Sequence, residues 1–329
     1  MTGLEDHLSE KTPLEQRAIA EWTSLAPTLG LTAADFRCEP VWEKDETGRR
    51  HVVLRLKSPT TDLILKRVYE TDEGASLGQA SMAQQQAHLA LKPKEDAHAP
   101  KVLFQSDDGD MVIMSYVVGK TADQMFLEGK PHKQILRRCG TWLSAYHNSG
   151  PIETRAFQPR FMLNHTARLA DLARDGRMAV VEPEFFVRCC GEIPIRASRI
   201  EGYKTFSSWK HGDANLRNFI LGKQGVSVID FKPESTAPVG YDISRFLLDY
   251  AQLYQPPSDR LLSDETIQYF LKGYKGLSHK DPAFGFLAEI RLLSDWCTVP
   301  ANEDDHSLRQ SLRMAKILAL ARQAFPDAW

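Results

Sequence analysis

Three residues with oxygen-bearing side chains lie close together in the segment 210–231, KHGDANLRNFILGKQGVSVIDF. Asp213 precedes Asn218 by five positions, and Asp230 follows the second of two short apolar runs. Hard cations such as Mg²⁺ prefer carboxylate and amide oxygens, and a nearby carboxylate can accept a proton from a hydroxyl group. Taken singly, these residues would suggest an Asx-turn at Asp213 and solvated side chains at strand ends. Their joint spacing favours a metal site with a neighbouring base.

A predicted β-hairpin brings these residues together. The runs NFILG and VSVID are separated by KQG, and a three-residue loop that closes with a left-handed glycine, here Gly225, is a common hairpin connection. This register places Ile220 opposite Val228 and Asn218 opposite Asp230. Directly opposed residues share a face of the sheet, so the last pair could bind one cation.

The elements that position this hairpin divide the chain into two parts. Thr12, Pro13 and Glu15 predict the start of a helix, because they supply an N-cap, a first-turn proline and a capping box. A second helix is predicted over residues 75–91. From residue 119 onward the pattern is mainly helical, apart from the hairpin segment. Strands are predicted before residue 119, at FRCEPVWEK, RRHVVLRLK, TDLILKRVY, APKVLFQ and DMVIMSYVV.

The segment HGDANLRN followed by VSVIDF resembles the catalytic loop and metal-binding segment of the aminoglycoside phosphotransferase and choline kinase family, which has the protein-kinase-like fold. The family pattern is His-Gly-Asp, four residues, Asn, and then a strand ending in Ile-Asp-Phe or Ile-Asp-Trp. The resemblance implies an α+β fold of two lobes. A small β-rich N-terminal lobe would span residues 1–118, and a larger, mainly helical C-terminal lobe would span residues 119–329. The resemblance covers residues 36–250 and is strongest over 210–250.

The resemblance also implies roles for residues of the second lobe. Asp213 would be the catalytic residue that orients the acceptor hydroxyl and accepts its proton. Asn218 and Asp230 would hold Mg²⁺ against the phosphates of ATP. His211 would brace the loop rather than titrate, and Asp242, in VGYDISRFLLDY, would anchor the loop from the following helix.

In the first lobe, the resemblance implies a set of nucleotide-binding residues. Lys66, on the strand TDLILKRVY, would reach the phosphates, and Arg55 is the second choice. The simpler alternative for Lys66 is that its ammonium group extends to solvent. The hinge between the lobes would lie at residues 115–118, where the backbone of Ser115 and Val117 would bind adenine.

Two features depart from the family pattern. The helix that should supply a Glu to pair with the strand Lys has Gln84, Gln85 and Gln86 in that region, and a neutral Gln cannot make a charge-assisted pair. The predicted phosphate-covering turn, EKDETGRR, has a single glycine, Gly48, and three acidic residues that would repel phosphates. Both departures motivate an alternative function, a non-catalytic regulatory module that binds nucleotide.

The acceptor is expected to bind against the C-terminal helices, where a carboxylate beside an aromatic ring suits an ammonium group. The alternative is that acidic residues on amphipathic helices are solvated, and this alternative is favoured. The candidates are Asp249, Tyr250, Glu289, Asp295 and Trp296.

Composition narrows the possible partners and location. The 329 residues are 42% hydrophobic and 26% charged, with a net charge of -2, so nothing suggests nucleic acid as a partner. The apolar runs are too short to cross a membrane, and the polar N-terminus lacks a signal peptide. Five cysteines without CxxC spacing argue against disulfides and structural zinc. We therefore expect a cytoplasmic protein, and we find no signal for an oligomeric state.

These observations predict an ATP- and Mg²⁺-dependent phosphotransferase. It would move the γ-phosphate to a hydroxyl group of a small polar metabolite, such as an amino alcohol, a sugar, an amino sugar or an aminoglycoside-like compound. Protein substrates are less favoured, because no long activation segment separates Asp230 from Asp242.

Overall fold

The structure is a computed structural model that describes residues 11–71, 77–276 and 281–328, without the side chain of Pro282. The α-helices in these residues are α1 (Pro13–Leu25), α2 (Leu77–Leu91), α3 (Ala122–Leu127), α4 (His132–His147), α5 (Arg160–Arg174), α6 (Pro183–Ser198), α7 (Gly240–Leu253), α8 (Asp264–Leu271), α9 (Pro282–Trp296) and α10 (Leu308–Ala324). The strands are β1 (Arg37–Glu46), β2 (Arg49–Lys57), β3 (Asp62–Thr71), β4 (Ala97–His98), β5 (Val102–Gln105), β6 (Met111–Ser115), β7 (Lys120–Thr121), β8 (Glu153–Ala156), β9 (Lys204–Trp209), β10 (Phe219–Gly222), β11 (Gly225–Val228) and β12 (Thr236–Pro238).

The chain forms two compact units. The first contains Met1–Gln86 and Pro100–Val117, and the second contains Ala87–Ala99 and Val118–Trp329. The sequence predicted a single boundary near residue 118, and it gave no sign that residues 87–99 group with the second unit.

The first unit is built on an antiparallel sheet with the strand order β1-β2-β3-β6-β5. Helix α1 covers one face, where Trp22 is buried in a cluster with Leu54 and Leu65. The predicted capping box starts this helix, since the Glu15 amide donates to Thr12 Oγ1 at 3.1 Å and the Thr12 amide donates to Glu15 Oε2 at 3.2 Å. All five predicted strands and the start of α1 are confirmed. The predicted start of α2 at residue 75 lies outside the described residues.

The second unit combines eight of the described helices with two small sheets, of strand order β4-β11-β10-β7 and β12-β9-β8. The predicted helices at α3, α4 and α5 are confirmed. The prediction that only the hairpin interrupts the helices was wrong, because β8, β9 and β12 form a second sheet. These short strands pair with partners distant in sequence, so local patterns gave little sign of them.

The hairpin forms, but its predicted register was wrong by one residue. Strand β10 pairs Phe219 with Val228, and the turn contains two residues instead of three, which leaves Gly225 inside β11. The observed register places the buried Phe219 and Leu221 opposite the buried Val228 and Val226. Because β11 runs parallel to β4, a Cβ atom on Gly225 would lie 2.5 Å from the Asp96 carbonyl oxygen, so the glycine permits this close approach rather than closing the turn.

Candidate active site

The loop after β9 is fixed by a buried carboxylate on α7. Asp242 is 2% exposed, and its Oδ2 accepts from the His211 amide at 2.7 Å while its Oδ1 accepts from the Gly212 amide at 3.0 Å. Burial alone would raise the pKa of Asp242, but the His147 side chain, His211 and the Gly212 amide hold it below its usual value. The predicted anchoring contact between Asp242 and the loop is confirmed.

His211 connects this loop to the strand that carries Asp230. Its Nδ1 accepts from the Asp213 amide at 3.2 Å, so the ring proton lies on Nε2, which donates to the Ile229 carbonyl at 3.0 Å. The ring also packs against Phe231, with 4.4 Å between the ring centroids. Burial lowers the pKa of His211, which favours the neutral ring. The contacts agree with the predicted bracing role.

Gly212 allows the loop to turn at this point. Its φ of +85° lies in the left-handed region, and a Cβ atom there would be 2.7 Å from the Lys232 Cβ. The Lys232 amide donates to the His211 carbonyl at 2.9 Å, so the two chain segments are held together. Any larger residue at position 212 would push them apart.

The Asp213 carboxylate lies at the surface of the loop, with 31% of its side chain exposed. Its Oδ1 accepts from Nη2 of Arg245 at 3.2 Å, and its Oδ2 lies 3.4 Å from the side-chain nitrogen of Asn218. The Asx-turn considered for Asp213 is found at Asn215 instead, where Oδ1 accepts from the Arg217 amide at 3.0 Å. The Asp213 carboxylate is therefore partly exposed, with Arg245 beside one oxygen and Asn218 beside the other.

Asn218 is oriented by the same loop. Its side-chain nitrogen donates to the Asp213 carbonyl at 2.8 Å, which leaves the amide oxygen as the atom able to bind a cation. The Ile229 amide donates to the Asn218 carbonyl at 3.1 Å, and Asp230 follows directly with a left-handed φ of 63°. Asp tolerates this conformation better than most residues. In the observed register Ile229 lies opposite Asn218, so Asp230 lies one position further along the chain than predicted.

The side chains of Asn218 and Asp230 supply oxygen donors of the kind that Mg²⁺ requires. Within the described ranges, no group of three or more His, Cys, Asp or Glu side chains could hold a metal ion by itself. A pair of protein ligands suits Mg²⁺, which usually completes its shell with water and substrate phosphates.

The sequence did not predict the role of Arg245, which links Asp213 to a second buried carboxylate. Its Nη1 donates to Oδ1 of Asp295 at 3.0 Å, and Asp295 is completely buried. Burial raises the pKa of Asp295, and the arginines around it act in the opposite direction. Asp295 also contacts Arg291 at 2.5 Å, Gln252 at 3.0 Å and Arg313 at 3.6 Å.

The acidic acceptor candidates are not solvated, contrary to the favoured prediction. Asp249 is 7% exposed, and it accepts from the Leu216 amide at 3.0 Å, which holds the loop 211–218 against α7. Glu289 pairs with Arg196 at 2.6 Å, and burial raises the pKa of Glu289 to about 7. With Asp295, these carboxylates pair with arginines or backbone amides instead of facing water.

The aromatic candidates are also engaged in packing. The Tyr250 hydroxyl is 2.8 Å from Nδ1 of His132, and Trp296 donates its indole N–H to the Val181 carbonyl at 2.9 Å. Both side chains are buried.

In the first unit, Lys66 lies on the central strand β3, between Val53 and Val112 of the neighbouring strands. Its side chain is half-buried on the face opposite Leu65 and the α1 core. Arg55, the second choice, donates to Asp62 at 2.5 Å and stacks over the Tyr116 ring, so this side chain is already engaged.

The proposed hinge residues differ in what their backbones can offer. The Ser115 amide donates to the Lys101 carbonyl at 2.9 Å, and the Tyr116 amide donates to the Asp62 carbonyl at 3.1 Å. A donor for adenine would therefore have to come from Val117, and Ser115 could contribute its carbonyl.

The sequence matches a family model described as the phosphotransferase enzyme family over residues 40–279. The chain belongs to this family. The match includes the loop, the hairpin and α7, and it confirms the predicted enzyme class: a phosphotransferase of the small-molecule kinase type. No curated protein matches the sequence.

Solved structures show the fold of this phosphotransferase. A choline/ethanolamine kinase family protein from Mesorhizobium loti superposes with a TM-score of 0.62 at 13% identity, over 96% of this chain and 99% of its own. A choline kinase from Cryptosporidium parvum Iowa II superposes with a TM-score of 0.59 at 11% identity, over 95% of this chain and 96% of its own. A spectinomycin phosphotransferase solved with ADP and spectinomycin superposes with a TM-score of 0.56 at 13% identity, over 95% of this chain and 98% of its own. The predicted kinase-like α+β fold is confirmed.

The two departures from the family pattern have structural explanations in this phosphotransferase. Gln84 donates to the Pro100 carbonyl at 3.3 Å, and Gln85 accepts from the Val102 amide at 3.1 Å, so both side chains secure α2 to the β5 segment. The acidic side chains of the β1–β2 turn have local partners, which reduces their repulsion toward phosphate. Asp45 pairs with Arg50 at 2.7 Å, Glu46 with Lys44 at 3.0 Å, and Glu43 accepts from Thr12 at 2.5 Å.

None of the helices in the described ranges is long and apolar enough to span a membrane.

Proposed function

We propose that this phosphotransferase moves the γ-phosphoryl group of ATP to a hydroxyl group of a small polar metabolite, in a reaction that depends on Mg²⁺. The observation that carries the proposal is the loop 211–218, in which a partly exposed Asp213 carboxylate lies beside the Asn218 side chain on a backbone anchored by Asp242.

Asp213 would accept the proton of the acceptor hydroxyl as its oxygen attacks the γ-phosphorus. A positioned base of this kind typically contributes about 10²- to 10⁴-fold in rate. Arg245 fixes the carboxylate through one oxygen, and the other oxygen lies 3.4 Å from the Asn218 side-chain nitrogen, where we place the acceptor hydroxyl. Rigid placement matters because phosphoryl transfer depends mainly on positioning and charge neutralisation.

Asn218 and Asp230 would hold the magnesium ion. When bound, Mg²⁺ neutralises charge on the phosphate oxygens and orients the γ-phosphoryl group. The bond from the Asn218 side-chain nitrogen to the Asp213 carbonyl keeps the amide oxygen free for this role.

Lys66 would bind the nucleotide phosphates, and the Ser115 carbonyl and the Val117 amide would bind adenine. Support comes from the central position of Lys66 in its sheet and from the hydrogen bonds that already use the Ser115 and Tyr116 amides. An acceptor of low molecular weight is supported by the relatives, among them a phosphotransferase solved with spectinomycin and an amicoumacin kinase solved with AMP-PNP, Ca²⁺ and its ligand.

The alternative is a regulatory module that binds nucleotide without transferring phosphate. Its support is the α2 sequence, since the described part of this helix has no acidic residue to pair with Lys66. Such a module has no need for the anchored arrangement around Asp213.

Turnover distinguishes the two functions. We expect Mg·ATP to give acceptor-dependent ADP with at least one member of a panel of amino alcohols, sugars, amino sugars and hydroxy acids. The Asp213→Ala variant should lose this activity while it still binds nucleotide. Nucleotide binding by the wild-type protein without transfer to any acceptor would favour the regulatory module.

A further inference from the structure

The strand β8 lies at the edge of the small sheet that it forms with β9 and β12. The strand order is β12-β9-β8, and among the described residues β8 pairs with β9 alone. All four residues of β8, Glu153–Ala156, are exposed. Within the part of the chain that the structure describes, the outer side of β8 is therefore accessible to another strand.

The hydrogen bonds next to β8 show which of its backbone groups point outward. The Phe157 amide donates to the Tyr203 carbonyl at 2.8 Å, and the Gly202 amide donates to the Phe157 carbonyl at 2.9 Å. Both backbone groups of Phe157 therefore face the chain that continues into β9. Because these groups alternate in direction along an antiparallel strand, the amides and carbonyls of Thr154 and Ala156 point away from β9, toward the open edge.

A second copy of β8 can pair with this edge in three antiparallel registers about a twofold axis. Outward groups must face outward groups, so Thr154 can lie opposite Ile152, Thr154 or Ala156 of the other copy. The first register places Glu153 opposite Glu153, and the last places Arg155 opposite Arg155, so like charges meet. In the middle register, Thr154 lies opposite itself and each Glu153 lies opposite an Arg155. Charge therefore favours the middle register.

The charged side chains of β8 are accessible for these contacts. Arg155 and Glu153 form an ion pair within the strand, and 55% and 50% of these side chains are exposed. In the middle register each of them gains a partner of opposite charge on the other copy. Charged residues on an edge strand usually discourage pairing. Here opposite charges would meet, so the charges of this edge favour an identical strand as the partner.

Exposed apolar side chains lie beside this edge on the other face of the sheet. Thr154 pairs with Phe206 of β9, so these two side chains share a face, and Phe206 is 41% exposed. Ile152, directly before β8, is 54% exposed and would lie opposite Ala156 of the other copy. Pairing would join two three-stranded sheets into one sheet of six strands, and it would remove part of this apolar surface from water.

We propose that two copies of this chain associate through β8 in the middle register, about a twofold axis between their Thr154 residues. Glu153 of each copy contacts Arg155 of the other, and each Thr154 amide donates to the Thr154 carbonyl of the other. A contact between two strands this short is smaller than a standard stable interface, so the dimer dissociates on dilution. The inference is independent of the proposed function, because it uses no residue of the candidate active site.

Sedimentation equilibrium over a range of protein concentrations tests the association. We expect the wild-type protein to shift from monomer to dimer with a dissociation constant between about 1 µM and 500 µM, as for contacts below the standard size. A protein that remains monomeric up to about 500 µM would overturn the inference.

Charge substitutions test the register. Arg155→Glu would bring two acidic side chains opposite each other, and Glu153→Arg would bring two arginines together, so each variant should dimerise at least about 10-fold more weakly than the wild-type protein. The double variant Glu153→Arg/Arg155→Glu restores opposite charges and should restore the wild-type dissociation constant. A mixture of the two single variants should form a heterodimer, because every opposed charged pair then has opposite signs.

Arg260→Glu is the matched control for these charge changes, because Arg260 pairs with Asp264 at a similarly exposed site outside β8. Thr154→Pro tests the backbone pairing separately, since it removes an outward amide that β9 does not use, and it should abolish the dimer. Thermal denaturation checks that each variant is folded, and the charge series tests the interface even if Thr154→Pro unfolds. A dimer that persists in folded Thr154→Pro, or one dissociation constant shared by the whole charge series, would overturn the proposed interface.

Discussion

At the scale of single residues, the site depends on how the Asp213 carboxylate is held. Arg245 contacts it with one nitrogen and contacts the buried Asp295 with another, so the guanidinium group transmits the rigidity of the helices to the base. Only a planar fork with several donors makes both contacts at once.

We therefore predict that Arg245→Gln lowers kcat by about 100-fold and that Arg245→Lys lowers it by about 10-fold, because a displaced base costs rate without altering nucleotide binding. Steady-state kinetics should show kcat falling while the KM for ATP changes by less than about 3-fold, in keeping with an interaction made mainly in the transition state. A matching fall in nucleotide affinity, or an active Arg245→Gln enzyme, would contradict this positioning role.

The sequence predicted the residues that lie close together along the chain. His211, Asp213 and Asn218 occupy one short motif, and Asp242 follows in a segment with its own signature. Arg245 was missed, although it lies one helical turn after Asp242 and so shares its face of α7. Asp295 was predicted only as a candidate for binding the acceptor. Its contact with Arg245 could not have been predicted, because 50 residues separate the two and only the packing of α7 on α9 brings them together.

At the scale of elements, the hairpin lies against a neighbouring strand that leaves no room for a side chain at Gly225. We predict that Gly225→Ala lowers the free energy of unfolding by at least about 2 kcal/mol, because the new Cβ would lie 2.5 Å from the Asp96 carbonyl oxygen at a φ of +133°. Chemical denaturation measures the change.

Gly191→Ala is the matched control for this substitution. Gly191 lies inside α6, and a Cβ atom there would meet nothing within 4 Å. The added methyl group should stabilise the helix by about 0.5 to 1 kcal/mol. Equal effects of the two alanines would show that the close approach of β4 and β11 does not constrain the hairpin.

The wrong register came from reading the turn before the strand faces. The sequence KQG followed by an apolar run fits a three-residue loop. The observed two-residue turn instead places the buried Phe219 and Leu221 opposite the buried Val228 and Val226, so the pairing of buried faces prevailed over turn chemistry.

Glu289 on α9, which contacts Arg196 on α6, should make the free energy of unfolding depend on pH. Burial raises the pKa of Glu289 to about 7, well above the usual value of 4.5, so between these pH values the folded protein keeps a proton that the unfolded chain releases. Stability should therefore fall as the pH rises from 4.5 to 7, by at most about 3 kcal/mol from this residue. Above pH 7 its contribution should be constant.

Glu289→Gln should remove this contribution, because the amide does not titrate. Urea denaturation at pH 5 and pH 7.5 should give a smaller difference for the variant than for the wild-type protein. If the two differences are equal, Arg196 stabilises the Glu289 carboxylate enough to offset its burial.

At the scale of the whole molecule, binding and catalysis make separable demands on the fold. We predict that saturating Mg·ATP stabilises the protein by about 2.7 kcal/mol at a concentration 100 times the Kd, by mass action alone. Asp230→Asn should reduce the stabilisation by Mg·ATP more than the stabilisation by ATP with EDTA, because the lost carboxylate is a proposed metal ligand. Differential scanning fluorimetry compares the two, and an identical loss in both would exclude Asp230 from metal binding.

Family membership establishes a phosphotransferase, and we propose that Asp213 serves as its base toward a hydroxyl acceptor. The most direct measurement is a single-turnover experiment with excess enzyme, γ-labelled ATP and a phosphorylated acceptor from the screen, comparing the wild-type protein with Asp213→Asn. We expect label to appear in the acceptor with the wild-type protein and to do so at least about 100-fold more slowly with Asp213→Asn, while ATP binding is retained. Equal rates of label transfer by the two proteins would contradict the account.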